Sequence, residues 1–394
     1  MPGEGLVIVG GGVVGSSIAW HLRRRGCEGS VTVVERDPAY RRASSFLAMG
    51  GVRQQFGSAA NIRLAQHSVR FYERFDETMA VAGHRPRAWF RQRGYLFLAN
   101  DPLAERFERR YARQRELGAN VERLEVPAIR SLVPDLALDD IRFGILGPDD
   151  GYANPREVLA GFRHAAEAAG AAYVTGAVHG VTVAHGRACG VTLDGGATIP
   201  ARAVINAAGP FASSLAALAG IDLPVVPVRQ QLFRCLLPHR WPHRFPVVVD
   251  PSGVHWRHDD PVLPGDPDRI IVARTRLDEP PGENFECDMG RWETDFRPPL
   301  VARLPDFEAV ELLEGWAGLY EMTPDHNPLL GAHPELEGFY VANGFSGHGL
   351  MMAPATGAAM AELLMTGASS TLDIGPFDPG RFARGEEFRD EAMI

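Results

Sequence analysis

A short apolar run at residues 6–9 passes directly into Gly10, Gly12 and Gly15 at GxGxxG spacing, and an apolar pattern of helical period follows. The glycines therefore sit at a strand-to-helix turn. There the first allows a tight turn, the second lets backbone approach a pyrophosphate, and the third lets the helix pack on the strand. Phosphates would rest on free N–H groups at the positive end of the new helix, beside Val13 and Val14. Glu35 ends a second apolar run at residues 31–34, twenty residues past Gly15, where a ribose-binding carboxylate belongs. An acid at that point favours a free ribose diol over a 2′-phosphate.

At 394 residues the chain suggests two domains, or one large domain with insertions. Its 45% hydrophobic and 23% charged content is that of a soluble globular protein, and the net charge of −9 gives no basic surface for nucleic acid. Cys27, Cys189, Cys235 and Cys287 are far apart and form no CxxC pair, so we expect reduced cysteines, no zinc or other metal site, and a cytoplasmic location. No basic segment precedes the first strand and no apolar run approaches the length of a membrane span. All 40 basic Lys+Arg residues are arginine. A Schiff-base lysine, a pyridoxal-phosphate site and any mechanism that uses a lysine ammonium near a cofactor are excluded.

Small residues recur at Ser44, Ser45, Gly50 and Gly51, which makes this stretch either further cofactor contact or a flexible loop. Residues 59–81 carry apolar positions at helical spacing, 89–98 alternate as a strand should, and 102–118 and 127–133 read as helices. Breakers at 147–155 mark a boundary, after which Asn154 and Pro155 open a helix. Strands follow at 172–174, 178–183 and 189–193, with a hairpin turn at Asp194 and Gly195. The apolar strand 203–205 runs into a small-residue turn and a helix over 211–219. Between 223 and 277 the alternating runs change to those of a separate antiparallel sheet. The end of the chain returns to strand (338–342), glycine-rich turn (343–349) and apolar helix (350–365). Three strand-turn-helix pieces thus alternate with two β-rich insertions.

Taken together, Gly10, Gly12, Gly15 and Glu35, the stretch 50–56, the turn 206–210, the stretch 315–325 and the turn 344–351 resemble the D-amino-acid oxidase superfamily of flavoenzymes. The look is that of sarcosine oxidases and proline dehydrogenase β-subunits. The resemblance implies an α/β fold: a discontinuous Rossmann-like FAD-binding domain, and a substrate domain of mixed or antiparallel β-sheet plus helices that roofs the flavin. The first would take residues 1–80, 150–222 and 325–394, the second 81–149 and 223–324.

Carried onto this chain, Gly10, Gly12, Val13, Val14, Gly15, Glu35 and Arg36 would hold the ADP half of FAD. Ser44, Ser45, Met49, Gly50, Gly51, Val52 and Arg53 would follow the ribityl chain to the ring. Val178 would meet adenine, and Ala208 and Gly209 the pyrophosphate side. Gly318 and the turn Gly347, His348, Gly349, Leu350 and Met351 would lie along the flavin, where a helix N-terminus favours negative charge. Tyr320, His348 and Arg53 are the catalytic candidates, although His348 also reads as a structural histidine. His255, Trp256, Arg257, Tyr95 and Met351 would shape the substrate pocket, while sheet packing alone would account equally for His255, Trp256 and Arg257.

Phe56, Met351 and Tyr320 stand where relatives carry cationic carboxylate anchors. A substrate carboxylate would then be met from the roof, by Arg257, Arg274, Arg91 or Arg93, or be absent. Gly318 replaces the cysteine that attaches flavin in sarcosine oxidases, so non-covalent FAD is expected. The resemblance implies oxidation of a C–N bond in an amine or amino acid, with hydride passing to flavin N5 and an imine forming. Without a lysine, a dehydrogenase using a carrier is expected over a fast oxidase using oxygen. The alternatives are a flavoprotein β-subunit or assembly factor with a partner subunit and little activity alone and, third, a flavin monooxygenase, for which no second GxGxxG is found.

Overall fold

A computed structural model describes residues 5–238, 241, 244–260, 268–276 and 278–387. Residues 1–4 and 388–394 of the expected cofactor-binding segments lie outside the described residues, as do 239–240, 242–243, 261–267 and Leu277 of the expected substrate segments.

Six strands form one sheet in the order Leu329–Ala332, Phe339–Asn343, Ala203–Asn206, Leu6–Val9, Val31–Glu35 and Ala172–Thr175. All neighbours are parallel except the Leu329–Ala332 edge strand, which runs antiparallel to Phe339–Asn343. The opening strand is buried at every position, as a parallel strand covered on both faces must be. The three strand-turn-helix pieces of the sequence therefore lie side by side. One face carries helices Val13–Arg24, Ala59–Tyr72, Pro155–Ala168 and Gly349–Thr366. On the other lie the antiparallel strands Val178–Ala184, Arg187–Leu193 and Thr198–Pro200.

The first and last of these helices cross where a Cβ on Gly357 would stand 2.2 Å from Ser17 Oγ. The Ser17 hydroxyl donates to the Ala353 carbonyl at 2.8 Å. That close crossing brings the N-terminus of the last helix beside the opening glycine turn, although over 300 residues separate them in sequence.

An eight-stranded sheet lies across this unit in the order Glu311–Met322, Val226–Leu236, Arg269–Arg274, Val254–Asp259, Val247–Val249, Tyr95–Asn100, Ile141–Gly147 and Glu122–Glu125. It is antiparallel except where Val247–Val249 pairs with Tyr95–Asn100. One face buries Trp256, Val272 and Phe233 against Trp292, Phe296 and Leu300 of the helical segment that follows. The opposite face looks onto the cleft described below.

Two local expectations differ, and one strand had no expectation. The helix expected over 59–81 runs Ala59–Tyr72 and resumes as Phe75–Thr78, because Arg74 leaves helical dihedrals at φ −120° and turns Phe75 into the ring cluster of Phe71, Tyr72 and Phe162. The strand expected over 89–98 begins at Tyr95, since Trp89 (φ 47°) and Gly94 (φ 89°) interrupt the pleat. The twelve-residue strand Glu311–Met322 was hidden by Gly315 and Gly318, which weaken strand character.

Candidate cofactor and substrate site

Gly10 has φ +105°, and a Cβ there would fall 2.3 Å from the Ala207 carbonyl oxygen. Glycine alone suits that approach between two neighbouring strand ends. A Cβ on Gly15 would meet the Gly10 carbonyl at 2.0 Å, so the third glycine lets the helix seat on the turn. Glu35 closes the turn from the second strand: Oε2 accepts from Gly11 N and Oε1 from Asp37 N, each at 2.8 Å. Burial raises the Glu35 pKa, and these two N–H groups work against that rise. Val13 N donates to Ser45 Oγ at 3.1 Å, which ties the new helix to the 44–47 segment.

Around this turn a chamber opens, lined by Gly10, Gly12, Val13, Val14, Glu35, Arg36, Ser44, Ser45, Val178, Ala208 and Gly209. A second chamber adjoins it and shares Val13, Val14, Ser44, Ser45 and Glu321. Its floor is Met49, Gly50, Gly51 and Arg53. Its roof is the eight-stranded sheet, through Tyr95, Gln230, Leu232, His255, Ala273, Thr275, Gly318 and Tyr320, and its far edge is residues 346–351. Ser44 Oγ donates to the Leu319 carbonyl at 2.6 Å and Trp316 Nε1 to that of Leu47 at 2.9 Å, so floor and roof are pinned together.

Arg53 is 2% exposed and sits in an aromatic box, with its guanidinium carbon 4.4 Å from the Phe56 ring centroid and 5.9 Å from that of Tyr95. It donates to the Gln55 carbonyl and faces His348 Nε2. Behind it Asp150 accepts from Gln54 N at 3.0 Å and Gln55 Nε2 at 3.2 Å, and burial pushes its pKa up to about 7. Burial first, and the Arg53 charge second, lower His348 to about 3. His255 is likewise lowered to about 4, chiefly by burial, and its Nδ1 lies 3.1 Å from the Gly253 carbonyl. That contact places the proton on Nδ1 and leaves Nε2 as an acceptor. Burial raises the Tyr320 phenol, which shares a hydrogen bond with Thr275.

Most residues singled out from the sequence thus meet along one cleft. Gly15 and Val52 do not line it; they pack beneath it. Trp256 points to the opposite face of the roof, into the core with Phe296. Arg257 donates to the Met49 carbonyl at 2.8 Å and buttresses the floor from outside the cleft. Arg91 and Arg93 both lie 3.4 Å from Asp260 carboxylate oxygens, away from the lining. Arg274 is at the lining, but its guanidinium donates to the Asp295 carbonyl on the helical side. Glu321, Gln230 and Thr275 line the site and were not singled out. Alternation along the strand, once the roof face is known from Tyr320 and His255, identifies Gln230, and Thr275 continues that alternation one residue past the end of the strand Arg269–Arg274.

The two joined chambers fit FAD: an elongated cleft begins at a glycine turn too tight for side chains and ends under a roof of polar side chains. A Cβ on Gly347 would strike the Tyr320 ring at 2.4 Å, so the far edge also depends on bare backbone. Residues 6–363 match the family described as FAD dependent oxidoreductase. The chain is 31% identical to the Bos taurus "FAD-dependent oxidoreductase domain-containing protein 1", covering 99% of this chain and 87% of that one. It superposes on L-proline dehydrogenase from P. horikoshii with a TM-score of 0.88, at 30% identity, over 98% of this chain and 100% of that one. Glycine oxidase from Geobacillus kaustophilus gives a TM-score of 0.83 at 26% identity, over 97% and 99% of the two chains.

Proposed function

The chain belongs to the FAD dependent oxidoreductase family, and on that premise we propose that it oxidises a C–N bond of an amine or amino acid. When held by the glycine turn at residues 10–15 and the 44–53 and 347–351 segments, FAD would supply the electron sink for removal of the substrate's α-hydrogen, the chemistry by which an amine becomes an imine. The observation that carries the reading is the charge balance of the second chamber. Its buried cation, Arg53, stands beside imidazoles that are neutral at ordinary pH. A nearby positive charge and desolvation both disfavour an ammonium, so an amine bound there is held as the free base. That is the form with a lone pair to drive loss of the α-hydrogen. His255 Nε2 and the Tyr320 hydroxyl are the acceptors and donors that would orient it. Tyr95, Met351 and Leu232 supply apolar walls that exclude water.

The six-stranded sheet draws its strands from residues 1–80, 150–222 and 325–394, and the roof sheet draws its own from 81–149 and 223–324. We assign the first set to FAD binding and the second to substrate binding. Gly10, Gly12, Glu35, Arg36, Val178 and Gly209 take the ADP half, and residues 44–53 and 347–351 the flavin half. Gly318 offers no thiol, so no covalent bond to the cofactor forms through this position. A chain with no lysine and a neutral His255 has no ammonium with which to activate oxygen, which favours a dehydrogenase passing electrons to a carrier. Free cysteines accord with a reducing, cytoplasmic setting. The described residues include no helix long and apolar enough to cross a membrane.

A second reading is a flavoprotein subunit with little activity alone, favoured by the apolar or phenolic residues Phe56, Tyr320 and Met351 at the anchor positions. Anaerobic mixing of the yellow holoprotein with N-methyl, cyclic and primary amino acids and amines separates the two. Bleaching by any member supports the enzyme. A band unchanged by the whole panel, with FAD bound, supports the subunit.

A further inference from the structure

Among the described residues Glu321 is the one carboxylate shared by the linings of the two chambers. Its residue is 8% exposed, on the roof strand Glu311–Met322 opposite Pro227. Oε2 accepts from Gly344 N at 3.0 Å, and the Phe345 N–H adds a second backbone bond. Oε1 lies toward the N-terminus of the last helix, 3.7 Å from where a Cβ on Gly349 would stand, and a Cβ on Gly209 would stand 4.0 Å from Oε2. The side chain thus occupies the point where the turns at 206–210 and 343–349 converge on the cleft.

Its own partners are backbone N–H groups, and burial holds its pKa up at about 7. The cofactor's diphosphate brings two negative charges into the cleft that this side chain lines. An ionised carboxylate beside them is unfavourable at short range in a buried site. We propose that Glu321 holds a proton while FAD is bound and donates it as a hydrogen bond from its carboxyl into the cleft, so that the protein takes up a proton as it binds the cofactor. The proposal rests on the cofactor and stands or falls separately from the amine reading.

The other charged groups facing the cleft do not supply this titration. The first chamber also presents the guanidinium groups of Arg36 and Arg42, Asp37, and Glu35 with its own two backbone donors. The second presents the guanidinium groups of Arg53 and Arg274, and the imidazoles of His255 and His348, which are neutral above about 4 and about 3. Asp150 also rests near 7, but lies behind Arg53 and lines neither chamber. Comparison with a variant therefore decides the matter.

The sign follows from linkage. Below about pH 7 the carboxyl of the FAD-free protein is already protonated, and affinity is flat. Above it, binding must capture a proton, and the Kd rises by up to about tenfold per pH unit. The test is dilution of the holoprotein between about pH 6 and pH 8.5, with released FAD read by its fluorescence and proton exchange by an indicator dye. The wild type should show the rising Kd and proton release on FAD loss. E321Q and E321A, which cannot ionise, should bind FAD with a flat profile. An equal pH slope in the variants, or no slope and no proton release in the wild type, overturns the proposal. Failure of the wild type to hold FAD at all contradicts the cofactor assignment as well.

Discussion

Nη2 of Arg53 lies 3.2 Å from Nε2 of His348, with both side chains buried in the floor and far edge of the second chamber. The guanidinium can only donate, so His348 accepts at Nε2 and carries its proton on Nδ1, toward the Phe345 carbonyl. The pair is therefore one positive charge held in place, not two groups that titrate against each other.

His348 should consequently contribute no inflection to the pH dependence of substrate reduction between about pH 5 and 9, because it is already neutral above about 3. His348→Leu removes the Nε2 acceptor that faces Arg53 and should slow flavin reduction by about tenfold or more, since a displaced guanidinium weakens the reactive alignment. Stopped-flow reduction rates across that range check both statements. A wild-type inflection near 6.5 that vanishes in the variant would show a titrating histidine instead.

Gly347 has φ +98°, and its missing side chain is the space taken by the Tyr320 ring. Gly347→Ala should fold and keep FAD, yet displace the phenol. The visible flavin spectrum should shift, and substrate reduction should slow by about tenfold or more, since a displaced orienting group weakens the reactive alignment. A variant with wild-type spectrum and rates would remove Tyr320 from the reacting end of the cleft.

Arg381 and Asp325 form an ion pair that is 2% and 1% exposed, with both guanidinium–carboxylate contacts at 2.8 Å. The same guanidinium donates to the Pro328 and Asn327 carbonyls, clamping the turn that follows Glu321 and Thr323. Arg381→Ala leaves a buried carboxylate uncompensated and should cost about 3 to 5 kcal/mol of stability. Denaturant unfolding of the holoprotein measures it, and a loss below about 1 kcal/mol would contradict a buried, tightly held pair.

The glycine-turn end of the cleft was legible because its signals are local. A tight glycine turn, a strand before it and an acid at the end of the next strand each leave a mark within a few residues, as at Gly10 and Glu35. That residues 203–210 and 339–349 return to the same sheet was legible in the repeated strand-turn-helix grammar. Roof side chains were harder to read. Whether Trp256 or its neighbours His255 and Arg257 faces the cleft depends on which face of the sheet is covered by the helix Arg297–Arg303, and alternation alone gives no sign. Arg257, Arg274, Arg91 and Arg93 all looked available for a carboxylate. Each is committed instead to a carbonyl or to Asp260, partners distant in sequence for three of the four. Glu321 was hidden for a related reason, since its burial follows from two turns that meet only in the folded chain.

An anaerobic single turnover with an amino acid carrying deuterium at its α-carbon, set against the same compound carrying hydrogen, tests the proposed C–N oxidation most directly. The account predicts that the deuterated compound bleaches the flavin several-fold more slowly, and that one imine or its hydrolysed carbonyl product appears per FAD reduced. Equal rates for the two compounds would place α-hydrogen loss outside the slow step. Bleaching with no carbonyl or imine product would contradict oxidation at the C–N bond.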